Sequence, residues 1–217
     1  MFNNKTVLIT GAAVGIGRAC AIQFAKNNAN VVLVDYNPET LAETEKEIKA
    51  ITNNVLSFVC DVSDNDTVLK VIKDVFKSFG QIDILVNNAA LWRIASPFNE
   101  TSIEIWKKFF DINVMGTVYF TKAVIDKMIE NRYGRIINVA SVAGVYGNAQ
   151  MVHYSATKGA VISMTKALAK EVAQYNITVN AVSPGSVSPA EENDIDYVQA
   201  SELSFSGRTG SQKRMQI

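Results

Sequence analysis

Three side chains in the second half of the chain could together move a proton: Ser141, Tyr154 and Lys158. Tyr154 and Lys158 are four residues apart, so on a helix they lie on the same face. An ammonium group close to a phenol favours the phenolate and lowers the pKa of the tyrosine from about 10. The phenol is then a better proton acceptor. The spacing alone is weak evidence, because tyrosine and lysine four residues apart also occur together by chance.

A second group of residues could bind phosphate. Residues 10–17 read Thr-Gly-Ala-Ala-Val-Gly-Ile-Gly and stand between an apolar run and a stretch with helical periodicity. The N–H groups and the dipole at the start of a helix attract anions, and glycine lets a pyrophosphate approach the backbone. Glycines at this spacing also occur in methyltransferases and in plain tight turns, so the motif alone is weak. We favour a dinucleotide because of the residues that follow.

A carboxylate follows the second apolar run, at Asp35. It comes about 20 residues after the glycines, where an acidic side chain can accept hydrogen bonds from the ribose hydroxyls of an adenosine. The same charge repels a 2′-phosphate, so Asp35 predicts NAD, with NADP disfavoured. The alternative interpretation is an ordinary turn residue at the end of a strand.

Polar residues follow the next two apolar runs as well. Asp61 could hydrogen-bond an adenine edge or cap the following helix, and we favour the adenine. Asn88 and Ala89 could hold the backbone beside a cofactor, or form a turn in which asparagine takes a permissive conformation. All these positions are meaningful only if the apolar runs are strands of one sheet.

The pattern of elements supports that arrangement, because short apolar runs alternate with longer amphipathic stretches. Val- and Ile-rich runs without polar alternation are typical of strands buried on both faces. Regular alternation of strand and helix predicts an α/β fold with a doubly wound, Rossmann-like parallel sheet. The predicted strands are residues 6–9, 31–35, 55–60, 82–86, 136–139 and 178–182, and the predicted helices are residues 15–27, 38–51, 64–79, 102–130 and 151–174.

Composition excludes several classes of function. The 21 basic and 21 acidic side chains cancel, which gives nucleic-acid binding no electrostatic support. Without a long apolar run or a signal-peptide pattern, we expect a cytoplasmic protein with no membrane partner. Cys20 and Cys60 read as buried free thiols. His153 is the only histidine, so we expect no histidine-based metal site and no Ser-His-Asp triad. We predict a single domain over residues 1–217.

Taken together, these residues resemble the short-chain dehydrogenase/reductase family. The matching positions, in the family's order, are residues 10–17, Asp61, residues 87–89, Asn113, Ser141, residues 154–158, Pro184 and Gly185. The resemblance implies an NAD-dependent oxidoreductase that interconverts a secondary alcohol and a ketone by hydride transfer. Ala90 departs from the pattern, because the family usually has glycine there.

The resemblance also implies a role for each matched residue. Tyr154 would be the acid/base, Ser141 would bind the substrate oxygen, and Lys158 would lower the tyrosine pKa and hold the nicotinamide ribose. Asn113 would anchor a water in a proton relay. The implied cofactor-binding residues are Gly11, Gly15, Ile16, Gly17, Asp35, Tyr36, Asp61, Val62, Asn88, Ala89, Tyr154, Lys158, Pro184 and Gly185.

The C-terminal part departs from the family pattern. Family members continue into a further helix and a seventh strand, but residues 212–217 resemble neither. We therefore expect a truncated chain with six strands, in which the sixth is an exposed apolar edge. Residues 189–206 correspond to a substrate loop. The helices that carry Asn113 and Tyr154 would form a homodimer more readily than the chain forms a tetramer.

The substrate stays open at this stage. Five residues suggest an apolar pocket for a small-molecule alcohol or ketone, although they could equally pack against the substrate loop. They are Trp92, Val145, Tyr146, Met151 and Val152. The competing hypothesis is a chain that binds cofactor without catalysis, or an unstable truncated product. The presence of all four implied catalytic side chains favours an active enzyme over a silent protein.

Overall fold

The computed structural model describes residues 1–185 and the two short backbone segments 187–188 and 210–211. The predicted substrate loop at 189–206 therefore lies outside the described residues. The single domain predicted over residues 1–217 stays a prediction for the same reason.

The centre of the fold is a six-stranded parallel sheet in the order β3-β2-β1-β4-β5-β6. The order reverses between β1 and β4, which is the arrangement of a doubly wound sheet. This confirms the predicted fold class. The strands are β1 (Thr6–Thr10), β2 (Asn30–Asp35), β3 (Val55–Val59), β4 (Ile84–Asn87), β5 (Gly134–Val139) and β6 (Ile177–Val182).

Helices connect the strands and cover both faces of the sheet. Asn37 and Asp64 begin two of them, because their side chains accept backbone N–H bonds from the first turn. A separate pair of two-residue strands, β7 (Val187–Ser188) and β8 (Gly210–Ser211), was not predicted. The helices are α1 (Gly15–Lys26), α2 (Pro38–Lys49), α3 (Asn65–Phe79), α4 (Ile103–Phe110), α5 (Gly116–Asn131), α6 (Ala143–Tyr146) and α7 (Val152–Val172), and a 3-10 turn (Ala173–Tyr175) follows α7.

The sheet separates two apolar layers. Val7 and Ile9 face the layer that packs on α1 and α2, whereas Leu8 between them faces the layer under α3, α5 and α7. Successive side chains of a strand point to opposite faces, so a strand covered on both faces must be apolar throughout. All five residues of β1 are buried for this reason.

One predicted helix is interrupted in the structure. The sequence predicts a continuous helix over residues 102–130, but α4 and α5 are joined by a five-residue π-helical segment, Asp111–Met115. A π segment widens the helix by one residue per turn and is frequent at functional sites. Asn113 lies within it and is 1% exposed. Amphipathic periodicity alone does not reveal such an insertion.

The edge strand β6 is more polar than predicted. It pairs with β5 and ends the sheet in the part of the chain that the structure describes. Ile177 and Val179 are buried, whereas Thr178 and Asn180 face solvent, and Val182 is half-exposed. The exposed edge therefore carries mostly polar side chains, because β6 alternates where the central strands do not. Within the described residues, no helix has both the length and the apolar character needed to cross a membrane.

Candidate active site

The predicted site residues come together at one edge of the sheet, where the parallel strands have their carboxyl ends. Thr10 ends β1, Asp35 ends β2 and Asn87 ends β4, while Ser141 follows β5 by two residues. In a doubly wound sheet this edge, at the point where the strand order reverses, is where ligands bind.

The glycine-rich turn is closely packed at Gly11 and Gly17 and open at Gly15. Gly11 and Gly15 have φ angles of 63° and 60°, in the left-handed region that glycine adopts most easily. A Cβ on Gly17 would lie 2.1 Å from the carbonyl oxygen of Gly11. No side chain caps the start of α1 at Val14, so the turn presents free N–H groups beside the helix dipole. Ile16 follows Gly15 within the first turn of that helix and is half-buried.

Asn88 and Ala89 are tied directly to this turn. The Asn88 side-chain amide donates to the carbonyl oxygens of Thr10 and Gly11, at 3.0 and 2.9 Å. The backbone N–H groups of Asn88 and Ala89 both donate to the Thr10 hydroxyl, at 3.0 and 3.1 Å. The end of β4 and the glycine turn therefore form one rigid unit.

Asp35 is buried beside the same turn. One carboxylate oxygen accepts from the Ala13 N–H at 3.0 Å, and the other accepts from the Asn37 N–H at 3.1 Å. Each carboxylate oxygen can accept more than one hydrogen bond, so the group could still receive hydroxyl donors. Tyr36 follows with its side chain 76% exposed.

Asp61 and Val62 lie at the end of β3. Asp61 is exposed, and one oxygen accepts from the Ser63 N–H and from the Ser63 hydroxyl. The cap of α3 is Asp64, so Asp61 is not that cap. Val62 is buried, and a Cβ on Gly116 would lie 2.7 Å from its Cγ2. Val62 therefore holds the start of α5 close to the sheet.

Lys158 is buried under the site. It is 3% exposed, and its Nζ donates to the carbonyl oxygen of Val139 at 2.7 Å. Burial penalises the charged form and lowers the pKa of Lys158 to about 8. The Nζ lies 5.8 Å from the centre of the Tyr154 ring. The two residues share one helix face, as their spacing predicted.

The pKa of Tyr154 moves in the direction opposite to the prediction. Burial of the phenol raises the pKa of Tyr154, and a hydrogen bond with the Ser141 side chain lowers it by less. The Lys158 amine donates to the Val139 carbonyl and is itself desolvated. The Ser141 hydroxyl also accepts the Ala143 N–H at 3.2 Å. The raised pKa keeps the Tyr154 phenol protonated beside Ser141 and Lys158.

Asn113 joins three parts of the site. Its side-chain oxygen accepts the Leu91 N–H at 2.7 Å, and its amide donates to the Leu91 carbonyl at 3.0 Å and to the Thr157 hydroxyl at 3.1 Å. These bonds connect the π segment, the loop after β4 and helix α7. The side-chain amide is thus fully engaged with protein partners.

Pro184 lies against the loop that carries Ser141. Its carbonyl oxygen accepts the Val142 N–H at 3.1 Å, so the chain after β6 runs beside the chain after β5. Gly185 follows it and is exposed. Every site residue that the sequence predicts is thus on, or next to, the same edge of the sheet.

A buried polar network beneath this edge was not predicted. The Asn87 amide donates to the Thr121 hydroxyl at 3.1 Å and to the Asn138 side-chain oxygen at 2.9 Å. Asn138 in turn donates to the Thr165 hydroxyl at 2.8 Å. Among the described residues, the Asn87 side-chain oxygen has no hydrogen-bond partner. The network fixes α5 and α7 to the central strands, and an asparagine inside the apolar run 136–139 is the sequence signal for it.

The five residues that the sequence suggested for an apolar pocket lie on the segments that carry the site, and four of them are exposed. Trp92, Val145 and Tyr146 are 54%, 57% and 62% exposed, and Val152 is 40% exposed. Met151 is half-buried. They lie after β4, on α6 and at the start of α7, which are the segments that carry the site. Exposed apolar groups gathered near polar residues are typical of a ligand-binding mouth.

Comparisons with known proteins agree with this geometry. A family model described as short chain dehydrogenase matches residues 5–197. A 3-oxoacyl-(acyl-carrier-protein) reductase from Thermotoga maritima is 42% identical over 181 residues, covering 83% of this chain and 73% of the reductase. A sorbitol dehydrogenase from Cereibacter sphaeroides is 40% identical over 195 residues, covering 89% of this chain and 75% of the dehydrogenase.

A solved structure shares the whole architecture. The NAD⁺-bound xylitol dehydrogenase superimposes with a TM-score of 0.91 at 34% sequence identity, covering 99% of this chain and 90% of that one. The relatives reduce or oxidise different kinds of molecule, according to their names. The likeness therefore extends over the fold, and the names disagree on the substrate.

Proposed function

The chain belongs to the short-chain dehydrogenase family, and from this we propose that it is an NAD(H)-dependent oxidoreductase that interconverts a secondary alcohol and a ketone. The observation that carries the proposal is the meeting of Ser141, Tyr154 and Lys158 beside the glycine-rich turn. In support, a phenol, a hydroxyl and a buried amine share one edge with free backbone N–H groups.

The residues present fit a dinucleotide. A Cβ on Gly11 or Gly17 would collide with backbone, so the turn needs glycine at both positions for its own packing. Nothing lies within 4 Å of a Cβ placed on Gly15, and a pyrophosphate could approach the backbone there. The Asp35 carboxylate stands at the end of β2, where it would bind the adenosine ribose, with Tyr36 alongside. Val62, Asn88, Ala89, Pro184 and Gly185 would complete the binding surface.

Tyr154 and Ser141 carry out the proton transfer of the proposed reaction. Tyr154 Oη takes the hydroxyl proton of an alcohol in oxidation and returns a proton to the carbonyl oxygen in reduction, while Ser141 Oγ holds that oxygen in place. When bound, the nicotinamide supplies the hydride transfer, and its positive charge in the oxidised form favours the phenolate. Lys158 holds the nicotinamide ribose and adds positive charge.

The proton then has to reach solvent. Lys158 has a pKa near the working pH, since burial lowers it to about 8, so it can both accept and release a proton. We assign Asn113 to the water relay that the family resemblance implies. Its side chain is engaged by Leu91 and Thr157, so it would act by holding the backbone that orders the water.

A titration with NADH and NADPH tests the cofactor preference. We expect the chain to bind NADH more tightly, and Asp35→Asn to weaken NADH binding by about tenfold or more, because bonds to a charged acceptor contribute about 1.5–3 kcal/mol. The same variant should bind NADPH more tightly than the parent chain does. The readout is the rise in nicotinamide fluorescence on binding.

The control for this titration is Asp74→Ala, an exposed aspartate on α3, which should bind both cofactors like the parent. Equal binding of NADH by Asp35→Asn and the parent would contradict the assignment of Asp35. A parent chain that binds neither cofactor would contradict the proposed function as a whole.

We also propose that the chain forms a homodimer through α5 and α7. In support, a groove between these helices is almost entirely apolar, and Lys122 and Glu171 lie at its rim. In a two-fold interface each of these charges can meet the opposite charge of the second copy. The groove is lined by Val118, Thr121, Lys122, Ile125, Met164, Ala167, Leu168 and Glu171.

Sedimentation velocity tests the dimer. We expect the parent chain to sediment as a dimer and Ala167→Glu to sediment as a monomer, because an exposed alanine accepts glutamate without disturbing the monomer. Leu69→Glu, at a 49% exposed position on α3, is the matched control and should stay dimeric. A parent that sediments as a monomer would refute this interface. The cytoplasmic location expected from composition stays a prediction.

The substrate class is best approached by a panel. The relatives' names include sugar alcohols, diacetyl and a 3-oxoacyl thioester. The exposed aromatic side chains of Trp92 and Tyr146, on segments that carry the site, favour a substrate with an apolar body over a sugar alcohol. We would therefore begin with small apolar ketones in the reducing direction.

A further inference from the structure

The single histidine of the chain lies directly before Tyr154. His153 is 1% exposed, and its Nε2 is 3.0 Å from the carbonyl oxygen of Ile94. A carbonyl oxygen only accepts hydrogen bonds, so Nε2 must carry a hydrogen and donate it. This assigns the tautomer of the neutral ring and links the start of α7 to the loop after β4.

Aromatic side chains of α4 hold the imidazole in this orientation. The Phe109 ring meets it edge to face, with centroids 4.2 Å apart and an angle of 83°. The Trp106 ring lies 6.1 Å away at 69°. Edge-to-face contacts of this kind favour one ring orientation over others. His153 therefore cannot swing away from Ile94 without losing its packing.

The loop after β4 contains what we call the mouth segment, residues 90–96. It carries Trp92, which is 54% exposed, and Arg93, whose guanidinium lies 5.0 Å from the centre of the Trp92 ring. The segment thus presents a charged and an aromatic side chain directly after β4, at the edge of the sheet that carries the site. Its backbone has no helix or strand to hold it.

Three hydrogen-bonded anchors replace secondary structure in the mouth segment. Asn113 holds Leu91 at one end, and the Ser96 N–H donates to the Gln150 carbonyl at 2.8 Å at the other. His153 holds Ile94 between them. Of the three anchors, it is the one next in sequence to Tyr154. Trp92 and Arg93 lie between the first two anchors.

We propose that His153 is a positioning residue that fixes the mouth segment relative to the Tyr154 phenol. Its bond to Ile94 sets where the Trp92 ring stands over the path of the substrate. Loss of the donor would loosen Trp92 and leave the glycine turn unaffected, because no bond of His153 reaches that turn. The part of this inference that concerns substrate rests on the proposed function, whereas the part that concerns Trp92 does not.

The chain has two tryptophans, so Trp92 can be observed alone. In a Trp106→Phe background we compare His153→Gln with His153→Met. Glutamine places an amide N–H at about the reach of Nε2, whereas methionine has a similar length and no donor. Acrylamide quenching and fluorescence anisotropy then report on the exposure and motion of Trp92.

We expect His153→Gln to match its background, and His153→Met to show about twofold stronger quenching and lower anisotropy, because a buried carbonyl loses its donor. Ser163→Ala, which removes an exposed hydroxyl elsewhere on α7, is the control and should leave Trp92 unchanged. If His153→Met does not fold, as judged by circular dichroism, His153→Phe keeps the aromatic packing without the donor and is measured instead.

Two fluorescence results would overturn the inference. One is a donor-free variant in which Trp92 behaves as in the background, and the other is a glutamine variant that loosens Trp92 as much as methionine does. Either result would show that the bond from His153 to Ile94 does not position the mouth segment.

Kinetics then separate this inference from the proposed function. With a ketone from the panel, His153→Met should raise KM about tenfold with less change in kcat, while the Kd for NADH stays within about twofold. Rescue of KM by His153→Gln supports positioning, and a parallel loss of NADH affinity overturns it. Absence of turnover in every variant would refute the proposed function, and the Trp92 measurement would still decide the role of His153.

Discussion

Replacing Tyr154 with phenylalanine is expected to abolish alcohol oxidation and ketone reduction while NADH binding survives. The substitution removes one hydroxyl from a largely buried ring and keeps its packing. General acid/base catalysis by a side chain typically contributes about 10²–10⁴ in rate, so kcat should fall by at least about a hundredfold. Steady-state kinetics at saturating cofactor, together with NADH titration, would measure both quantities.

The physical reason lies in the contacts of the phenol. Ser141 lowers and burial raises the pKa of Tyr154, with burial the stronger effect. The phenol is therefore protonated at neutral pH until positive charge approaches it, which suits a group that must donate in one direction and accept in the other. In Tyr154→Phe, Ser141 can still hydrogen-bond the substrate oxygen, but no phenol is present to exchange a proton with that oxygen.

The control is Tyr119→Phe on α5, which removes a hydroxyl from a half-buried tyrosine in the core and should leave kcat unchanged. Turnover that persists unchanged in Tyr154→Phe would disprove the mechanism. A parent chain that binds NADH but converts no substrate of the panel would favour the competing hypothesis of a silent, cofactor-binding protein.

Replacing Lys158 with methionine should abolish activity and at the same time stabilise the fold at neutral pH. Burial lowers the pKa of Lys158 from 10.5 to about 8, which corresponds to about 3 kcal/mol spent on keeping the amine charged. Methionine removes that cost. The Val139 carbonyl then lacks its donor, and this loss offsets part of the gain in stability. We expect the free energy of unfolding to rise by about 1–2 kcal/mol at pH 7, measured by urea denaturation.

The pH dependence gives this prediction its sign. Between pH 8 and 10.5 the unfolded chain binds the Lys158 proton more tightly than the folded chain, so the stability of the parent rises with pH across that window. The methionine variant lacks this contribution. The advantage of the variant should therefore be largest below pH 8 and should reverse towards pH 10.5, where the amine is neutral and the lost bond to Val139 leaves the variant about 1–2 kcal/mol less stable than the parent.

Lys166→Met is the matched control, because Lys166 is exposed on the same helix. It should change neither the stability difference nor its pH dependence. A Lys158→Met chain that is less stable than the parent at pH 7, or whose stability difference does not vary with pH, would show that the buried amine does not strain the fold. The stabilised, inactive variant would also be well suited to capturing cofactor without turnover.

Local pattern was sufficient for much of the fold. The alternation of apolar runs and amphipathic stretches predicted the six parallel strands, because strands buried on both faces must be apolar and the crossovers between them must be helical. It also predicted which polar residues would meet. Asp35, Asn88 and Ser141 each follow an apolar run, and the ends of parallel strands share one edge.

The helix that carries Asn113 shows where local pattern stops. The run 102–130 has apolar residues at helical spacing throughout, yet the structure inserts a π segment at Asp111–Met115. The bonds from Asn113 reach Leu91 and Thr157, which are 22 and 44 residues away along the chain. The π segment lets Asn113 bond to residues far away along the chain, and such bonds leave no mark on the apolar periodicity of the helix itself.

The sequence by itself determined which side chains are candidates for the reaction and which strand ends they follow, because residue type and element period are local properties. Only the tertiary structure decided how those groups behave. The Lys158 amine donates to Val139, 19 residues earlier, and burial makes the Tyr154 phenol more weakly acidic than the adjacent lysine suggested. His153 proved to hold Ile94, 59 residues away. Desolvation and long-range hydrogen bonds depend on everything packed around a side chain, and no spacing along the chain encodes them.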